Sequence, residues 1–282
     1  MKNYKEQTFT GERALFSSDD LLIEECVFRD GESPLKESKN LKIKSSSFEW
    51  KYPLWYCHNV ECDDLVFEEM ARSGIWYTDN IIMNDCLFKC PKTFRRASNI
   101  TLINCELPNA QETLWGCKNI KANDTTFAGD YLGMNSIDIE FNNVVIDGNY
   151  AFDGAKNVVI KNSVLNSKDV FWNTENVTVI NSKIVGEYLG WNSKNLTFID
   201  CEIESHQGLC YIDGLKMVNC KLIDSDLTFE YCSNIDAEIH SVVDSIKNPY
   251  SGRIVVDGVK ELILEKEHIN IDEIKIIVKN HE

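Results

Sequence analysis

The sequence predicts an all-β fold: a single-stranded, right-handed parallel β-helix of about 12 coils, with 19–21 residues in each coil. Three observations predict it. A phrase of the form Asn-Ile-x-Ile-x-x-Cys-x-Phe recurs along the chain. Its first residue, taken as a reference, stands at Asp20, Asn40, Asn59, Asn80, Asn99, Asn119, Asp138, Asn157, Asn176, Asn195, Gly214 and Asn234. The octapeptide GDYLGMNS at Gly129–Ser136 returns as GEYLGWNS at Gly186–Ser193, three nineteen-residue steps later.

Each coil divides into segments with their own logic. One and three residues past the reference stand apolar pairs such as Leu41/Ile43, Val177/Val179 and Leu196/Phe198, the spacing of a strand with one face toward a core. Six and eight past it come Cys26/Phe28, Cys86/Phe88 and Cys201/Ile203, a second strand after a three-residue turn. A bulky apolar residue five before the next reference (Leu54, Ile75, Phe94, Leu114, Phe152, Phe171, Leu209, Phe229) marks a third strand.

The turns are marked by the reference Asn and by an Asp or Asn five residues later, side chains that tolerate left-handed backbone angles and can bond along the stack. Left-handed helices are built on six-residue units, about eighteen residues per coil. The longer, uneven steps here, with extra residues in turns such as Asp30-Gly31, Ala128-Gly129, Asp147-Gly148 and Val185-Gly186, favour the right-handed form. A pentapeptide solenoid is the second choice, because five-residue spacing holds only in the first half of each unit. The expected organisation is one domain over 1–282: an N-terminal partial coil (1–19), coils over 20–253 and a C-terminal cap (254–282).

Bulk composition excludes several function classes. With 43% hydrophobic residues the 282-residue chain can bury a large core. A net charge of −16 argues against a nucleic-acid partner, which phosphate contacts from Lys and Arg would require. No run of about 18 apolar residues could span a bilayer, and the N-terminus has no signal-like apolar stretch, so the expected compartment is the cytoplasm and no membrane partner is expected. Eleven Cys without a Cys-x-x-Cys pair indicate neither a disulfide framework nor a zinc knuckle; those at the six-past position read as small core residues.

The repeat does not explain its own departures from symmetry. Four residues before the reference stand Trp55, Trp76, Arg95, Trp115, Asp153, Trp172, Trp191 and Glu230, including five of the six Trp. Beside them, three before, are Tyr56, Tyr77, Arg96, Tyr211 and Tyr231, and the position eight before is polar: Glu32, Lys51, Arg72, Gln111, Asp130, Asn149, Lys168, Glu187, His206, Asp226. Aromatic faces suit flat sugar rings and amides and charges suit hydroxyls, so this stripe reads as a groove for an oligosaccharide.

Bases concentrate in its first half and carboxylates in its second. The catalytic candidates are Asp130, Asp153, Asp169 and Glu187, which could pair as acid and base or hold Ca²⁺, with Lys168 as a further base. Candidates for substrate contact are Trp55, Trp76, Arg95, Arg96, Trp115, Tyr131, Tyr150, Trp172, Tyr188, Trp191, Tyr211, Glu230 and Tyr231. The expected function is a carbohydrate-active protein that binds, and cleaves, an oligosaccharide in this groove. The alternative is a non-catalytic carbohydrate-binding or protein-interaction scaffold.

The phrases FTGERALF (9–16), DGESPLKES (30–38), EMARSGIWYTD (69–79), NAQETLW (109–115), DGNYAFDG (147–154) and GEYLGWNSKNL (186–196) resemble a family of mainly bacterial proteins of about this length. That family is of unknown function and is grouped with pectate-lyase-like right-handed β-helices. The resemblance implies the fold and a distant connection to carbohydrate, since the wider superfamily includes polysaccharide lyases, polygalacturonases and pectin methylesterases. It carries over no catalytic residue.

Overall fold

A computed structural model describes residues 1–279. They form an all-β parallel solenoid, with one 3₁₀ turn at Ile271–Glu273 and no α-helix among the described residues. The chain divides into two compact units, Met1–Val145 and Ile146–Glu282.

In the first unit the main sheet has eight rungs: Lys2–Lys5, Asp19–Glu24, Lys39–Lys44, His58–Asp63, Asp79–Asn84, Ser98–Ile103, Lys118–Asn123 and Ile137–Asn142. Each pairs in parallel with the next, so Leu21, Leu41, Val60, Ile81, Ile100, Ile120 and Ile139 stack in one inward column. Period-two burial on these strands follows directly from the apolar pairs of the repeat. The second strand of each coil carries a continuous pile of rings, Phe9, Phe28, Phe48, Phe67 and Phe88, with centroids 4.9, 4.8, 5.1 and 4.7 Å apart, the spacing of hydrogen-bonded parallel strands.

The second unit repeats the plan over Lys156–Lys161, Glu175–Ile180, Lys194–Ile199, Asp213–Asp226, Ser233–Lys247, Gly252–Ile263 and Ile274–Val278. Eight and seven rungs make fifteen, against about 12 expected. The difference lies at the ends: Lys2–Lys5 pairs with Asp19–Glu24, and Ile274–Val278 pairs with Gly252–Ile263, which pairs with Ser233–Lys247, although no Asn marks these last two strands. Backbone pairing with an open strand edge suffices to add a rung where the side-chain signature fades. The last three residues of the expected C-terminal segment, 280–282, lie outside the described residues.

The turn chemistry follows the side chains. The reference residues and those five later adopt φ near +55°, as at Asn59 (56°), Asp64 (56°), Asn176 (60°) and Asn181 (48°). Their amides form ladders: Asn59 donates to Asn40, Asn80 to Asn59 and Asn99 to Asn80 at 2.8–3.0 Å, and Asn176 to Asn157 and Asn195 to Asn176 at 3.1 and 3.0 Å.

One expectation needs correction. Among the described residues the third strand forms at Ile75–Trp76 and Phe94–Arg95; elsewhere the same position is a turn whose apolar residue takes a left-handed φ, as at Leu54 (58°), Leu114 (59°), Phe171 (62°) and Phe229 (69°). Such angles cost roughly 1–2 kcal/mol per residue, offset here because each side chain is fully buried.

All eleven Cys are free and buried. They share inner columns with Ser and Thr and do the same work: Cys105, Cys201 and Cys220 donate to the carbonyls of Met83, Val179 and Phe198 one coil back, each at 3.4 Å, as the hydroxyls of Ser136 and Ser193 do to Leu114 and Phe171. Burial raises the thiols of Cys57 and Cys117 to about 12.

Candidate functional site

The position eight before the reference becomes a column of corner residues in the second unit. Asn149 Oδ1 accepts the Lys168 backbone N–H at 3.2 Å, Lys168 Nζ meets Glu187 Oε2 at 3.0 Å, Glu187 lies in register with His206, and His206 Nδ1 lies 2.6 Å from Asp226 Oδ1. A carboxylate only accepts, so Nδ1 of His206 is the donor and Nε2 is left for other partners. Asn149, Lys168, Glu187 and His206 rim a cleft of about 390 Å³, whose other walls include Asn166, Glu204 and Asp224.

The cleft depends on close coil packing. A Cβ on Gly186 would sit 2.0 Å from the carbonyl oxygen of Ser167, so no larger residue fits between the coils there. The echo GEYLG therefore has a physical content: a Gly that admits the neighbouring coil, an acidic residue on the rim, a Tyr at φ 53°, a buried Leu and a Gly at φ 75°.

Asp169 is the unusual group. It is 7% exposed, and its Oδ1 has no hydrogen-bond partner. Its backbone N–H donates to the Glu187 carbonyl at 2.8 Å. Burial first, and the negative charge of Glu187 second, hold its carboxyl above the ordinary carboxylate range, opposed by the Lys168 charge and a hydrogen bond from Tyr150. Lys168 is shifted upward in turn, chiefly by its bond to Glu187.

The structure thus brings together Lys168, Asp169, Glu187 and Tyr150, with Tyr188 edge-on to His206 at 6.2 Å. It does not bring in Asp153, which accepts the amide of Asn173 at 2.9 Å in a ladder continued by Asn192; Asp130 is a residue of the first unit. Glu230 is buried in an ion pair with Lys247 at 2.8 Å and also accepts from Gln207 at 2.8 Å. His206, Asp226, Asn149, Glu204 and Asp224 were not among the expected site residues. The first three occupy the same polar column as Lys168 and Glu187, and that column was the signal.

The aromatic stripe is built differently from an open platform. Trp55 and Trp76 stack face to face at 5.2 Å and 7°, and the Arg95 guanidinium lies 4.6 Å from both Trp76 and Trp115, with Glu112 3.5 Å away. Arg96 covers the Tyr77 ring, itself stacked on Tyr56. In the second unit Trp172, Trp191, Tyr211 and Tyr231 follow one another at 6.1, 4.7 and 5.3 Å. Indole N–H groups are spent on backbone carbonyls: Trp55 on Ser73, Trp76 on Lys92, Trp115 on Tyr131 and Trp172 on Tyr188. In the first unit the stacked Trp55–Trp76 and Tyr56–Tyr77 rings turn faces to each other, whereas the second-unit rings are tilted by 42°, 33° and 56°.

A larger cleft of about 560 Å³ in the first unit is lined by Asn40, Asn59, Asn80 and Asn99, whose amides bond one another, and by Lys42 and Glu61, which pair at 3.1 Å. Its polar groups are already matched. Among the described residues no group of three or more His, Cys, Asp or Glu side chains is placed to hold a metal ion, Ca²⁺ included. No helix among them is long and apolar enough to cross a membrane.

A family model matches residues 2–277. The chain belongs to the family described as protein of unknown function (DUF3737). No curated protein sequence matches it. Similar solved structures include PfbA, a surface adhesin of Streptococcus pneumoniae, at 12% identity over 79% of this chain and 71% of that one, with a TM-score of 0.40. The A-module of the Azotobacter vinelandii mannuronan C-5 epimerase AlgE4 is similar at 7% identity over 99% and 89%, with a TM-score of 0.32. QnrB1, a plasmid-mediated fluoroquinolone resistance protein, is similar at 12% identity over 79% and 91%, with a TM-score of 0.25.

Proposed function

We propose that this DUF3737 protein is carbohydrate-active: it holds an oligosaccharide in the cleft of the second unit and cleaves a glycosidic bond there. One observation carries the reading. Asp169 is a buried carboxyl pushed toward its protonated form, and it is tied by its backbone to Glu187, a rim carboxylate paired with Lys168. Acid–base cleavage of a glycoside requires two carboxyls, one of them kept protonated by its surroundings. Asp169 gives its proton to the departing oxygen as the C–O bond breaks, and Glu187 takes a proton from the attacking water. Asn149, Asn166 and His206 Nε2 are the hydrogen-bonding groups for sugar hydroxyls.

A second reading has its own support. Ion pairs between successive coils also occur in the first unit, as Lys51 with Glu32 at 3.3 Å and Lys89 with Glu68 at 3.0 Å. On that reading the Lys168–Glu187 pair is scaffold, and the cleft binds without cleaving.

Incubation with a panel of neutral, amino and acidic oligosaccharides, followed by chromatography of products, separates the two. Cleavage should fall by about 10²–10⁴ in Asp169→Asn and Glu187→Gln with binding retained. Binding without product from any substrate favours the scaffold reading; absence of both overturns the proposal.

A further inference from the structure

We infer that the first unit binds a small aromatic oxyanion, a planar ring carrying an anionic oxygen group, in the gap left by Gly116. Backbone hydrogen bonds between successive coils set Tyr56, Tyr77, Arg96, Gly116 and Asn135 one above another. The N–H of Tyr56 donates to the Trp76 carbonyl, that of Tyr77 to Arg95, that of Arg96 to Trp115 and that of Gly116 to Met134, at 2.9–3.0 Å. The side chains pile accordingly, with Tyr56 stacked on Tyr77 at 4.9 Å and 5°, and the Arg96 guanidinium 5.9 Å from the Tyr77 centroid. At Gly116 the pile stops.

Neither the backbone nor crowding requires a glycine there. Gly116 has a φ of 58°, but Tyr56, Tyr77, Arg96 and Asn135 hold 57°, 59°, 48° and 55° with side chains attached. A Cβ on Gly116 would meet nothing nearer than Cγ of Arg96 at 3.8 Å. The levels of Arg96 and Asn135 are two strand spacings apart, about 10 Å, so a ring seated between them lies about 5 Å from each, within the range of stacked aromatic pairs. Guanidinium groups stack on such rings, so the ligand extends the pile.

The surrounding charge selects an anion. Arg96 makes no ion pair and Asn135 no side-chain hydrogen bond among the described residues. Beside them Lys92 and Arg95 share one carboxylate, Glu112, at 2.9 and 3.5 Å, and Arg95 is held 4.6 Å from both Trp76 and Trp115. An oxyanion on the ring takes up the donors that Arg96 has unspent. All these residues belong to the first unit, so this site stands or falls apart from the cleft of the second.

The test is an NMR titration of the full chain at about pH 7, where Arg96 is charged and a phosphate ester ionised, following the backbone amides of Arg96 and Gly116. The probes are phenyl phosphate, inorganic phosphate and phenol. Phenyl phosphate should shift both amides saturably and bind about tenfold more tightly than either of its parts. Gly116→Asn puts a side chain into the gap at a backbone angle that Asn135 already holds, and it leaves every cation in place. It should weaken phenyl phosphate about tenfold, as should Arg96→Gln on the exposed surface, with thermal melts showing that both variants fold. Inorganic phosphate binding as tightly as phenyl phosphate would reduce the site to a patch of charge and overturn the ring assignment, and so would undiminished binding by Gly116→Asn. No saturable shift with any of the three probes overturns the site itself.

Discussion

The backbone N–H of Asp169 donates to the carbonyl of Glu187 at 2.8 Å, so the buried carboxyl and the rim carboxylate are fixed one coil apart by the same parallel pairing that builds the solenoid. The proposed acid and its partner cannot drift without breaking the scaffold. Stability and activity at this place are therefore linked.

A carboxyl whose pKa is raised by folding leaves the fold unpenalised while protonated, below the ordinary 3.8, and weakens it as pH rises through the raised value. Asp169→Asn should therefore match the parent chain in stability near pH 4 and exceed it at pH 7, by about 1 kcal/mol, in guanidinium melts. Activity should move the opposite way, lost in the variant and lost in the parent as pH rises. A variant less stable at pH 7 would mean the ionised carboxylate is satisfied.

Trp172 spends its indole N–H on the Tyr188 carbonyl at 2.8 Å, whereas the indole of Trp191 makes no such bond among the described residues. Trp172→Phe should cost about 1 kcal/mol more than Trp191→Phe in thermal or denaturant melts. Equal losses would mean that ring packing alone holds the stripe.

Asn176 serves the corner twice, with φ at 60° and with amide bonds to Asn157 and Asn195 at 3.1 and 3.0 Å. Asn176→Gly keeps the backbone angle and loses the ladder; Asn176→Ala loses both. The Ala variant should be the less stable by about 1 kcal/mol, measured by urea unfolding.

Glu230 is buried against Lys247 and Gln207. Glu230→Ala leaves Lys247 uncompensated and should cost about 3–5 kcal/mol, read from the melting temperature. Lys247 is raised above 10.5, first by its bond to Glu230, so the pair's contribution is complete below that pH and fades above it. Melts that stay flat through pH 11 would contradict this.

The thiols are silent in the fold. Cys57 and Cys117 sit near pKa 12 and all eleven side chains are buried, so a disulfide reagent at pH 8 should label none in the native protein and all eleven in guanidinium. Rapid labelling of the native chain would refute that.

Much of the fold was legible because each coil writes the same constraints in sequence. Asn59 and Asn80 bend the backbone, Val60 and Ile81 face inward, and Cys86 and Phe88 occupy the second strand, each at a fixed offset. The third strand was misread because Leu54 and Phe171 signal burial but not φ: an apolar residue in a left-handed turn looks, in sequence, like one in a strand. Of the site, Lys168 and Glu187 stood out as charges in the polar column, with Asp169 next to Lys168, while Glu204 and Asp224 were hidden among ordinary strand residues.

The periodicity of the chain determined the all-β parallel solenoid, its repeat length, its asparagine corners and its inner columns, because nearest-neighbour stacking makes every coil obey one local rule. Only the tertiary structure decided that Trp55 and Trp76 stack face to face, that Asp153 and Glu230 are consumed by amide and ammonium partners, and that Asp169 is buried with an unsatisfied oxygen. Those outcomes depend on which residue lies one coil away at a corner, and on how much water the neighbouring coil removes, and neither is a property of any single repeat.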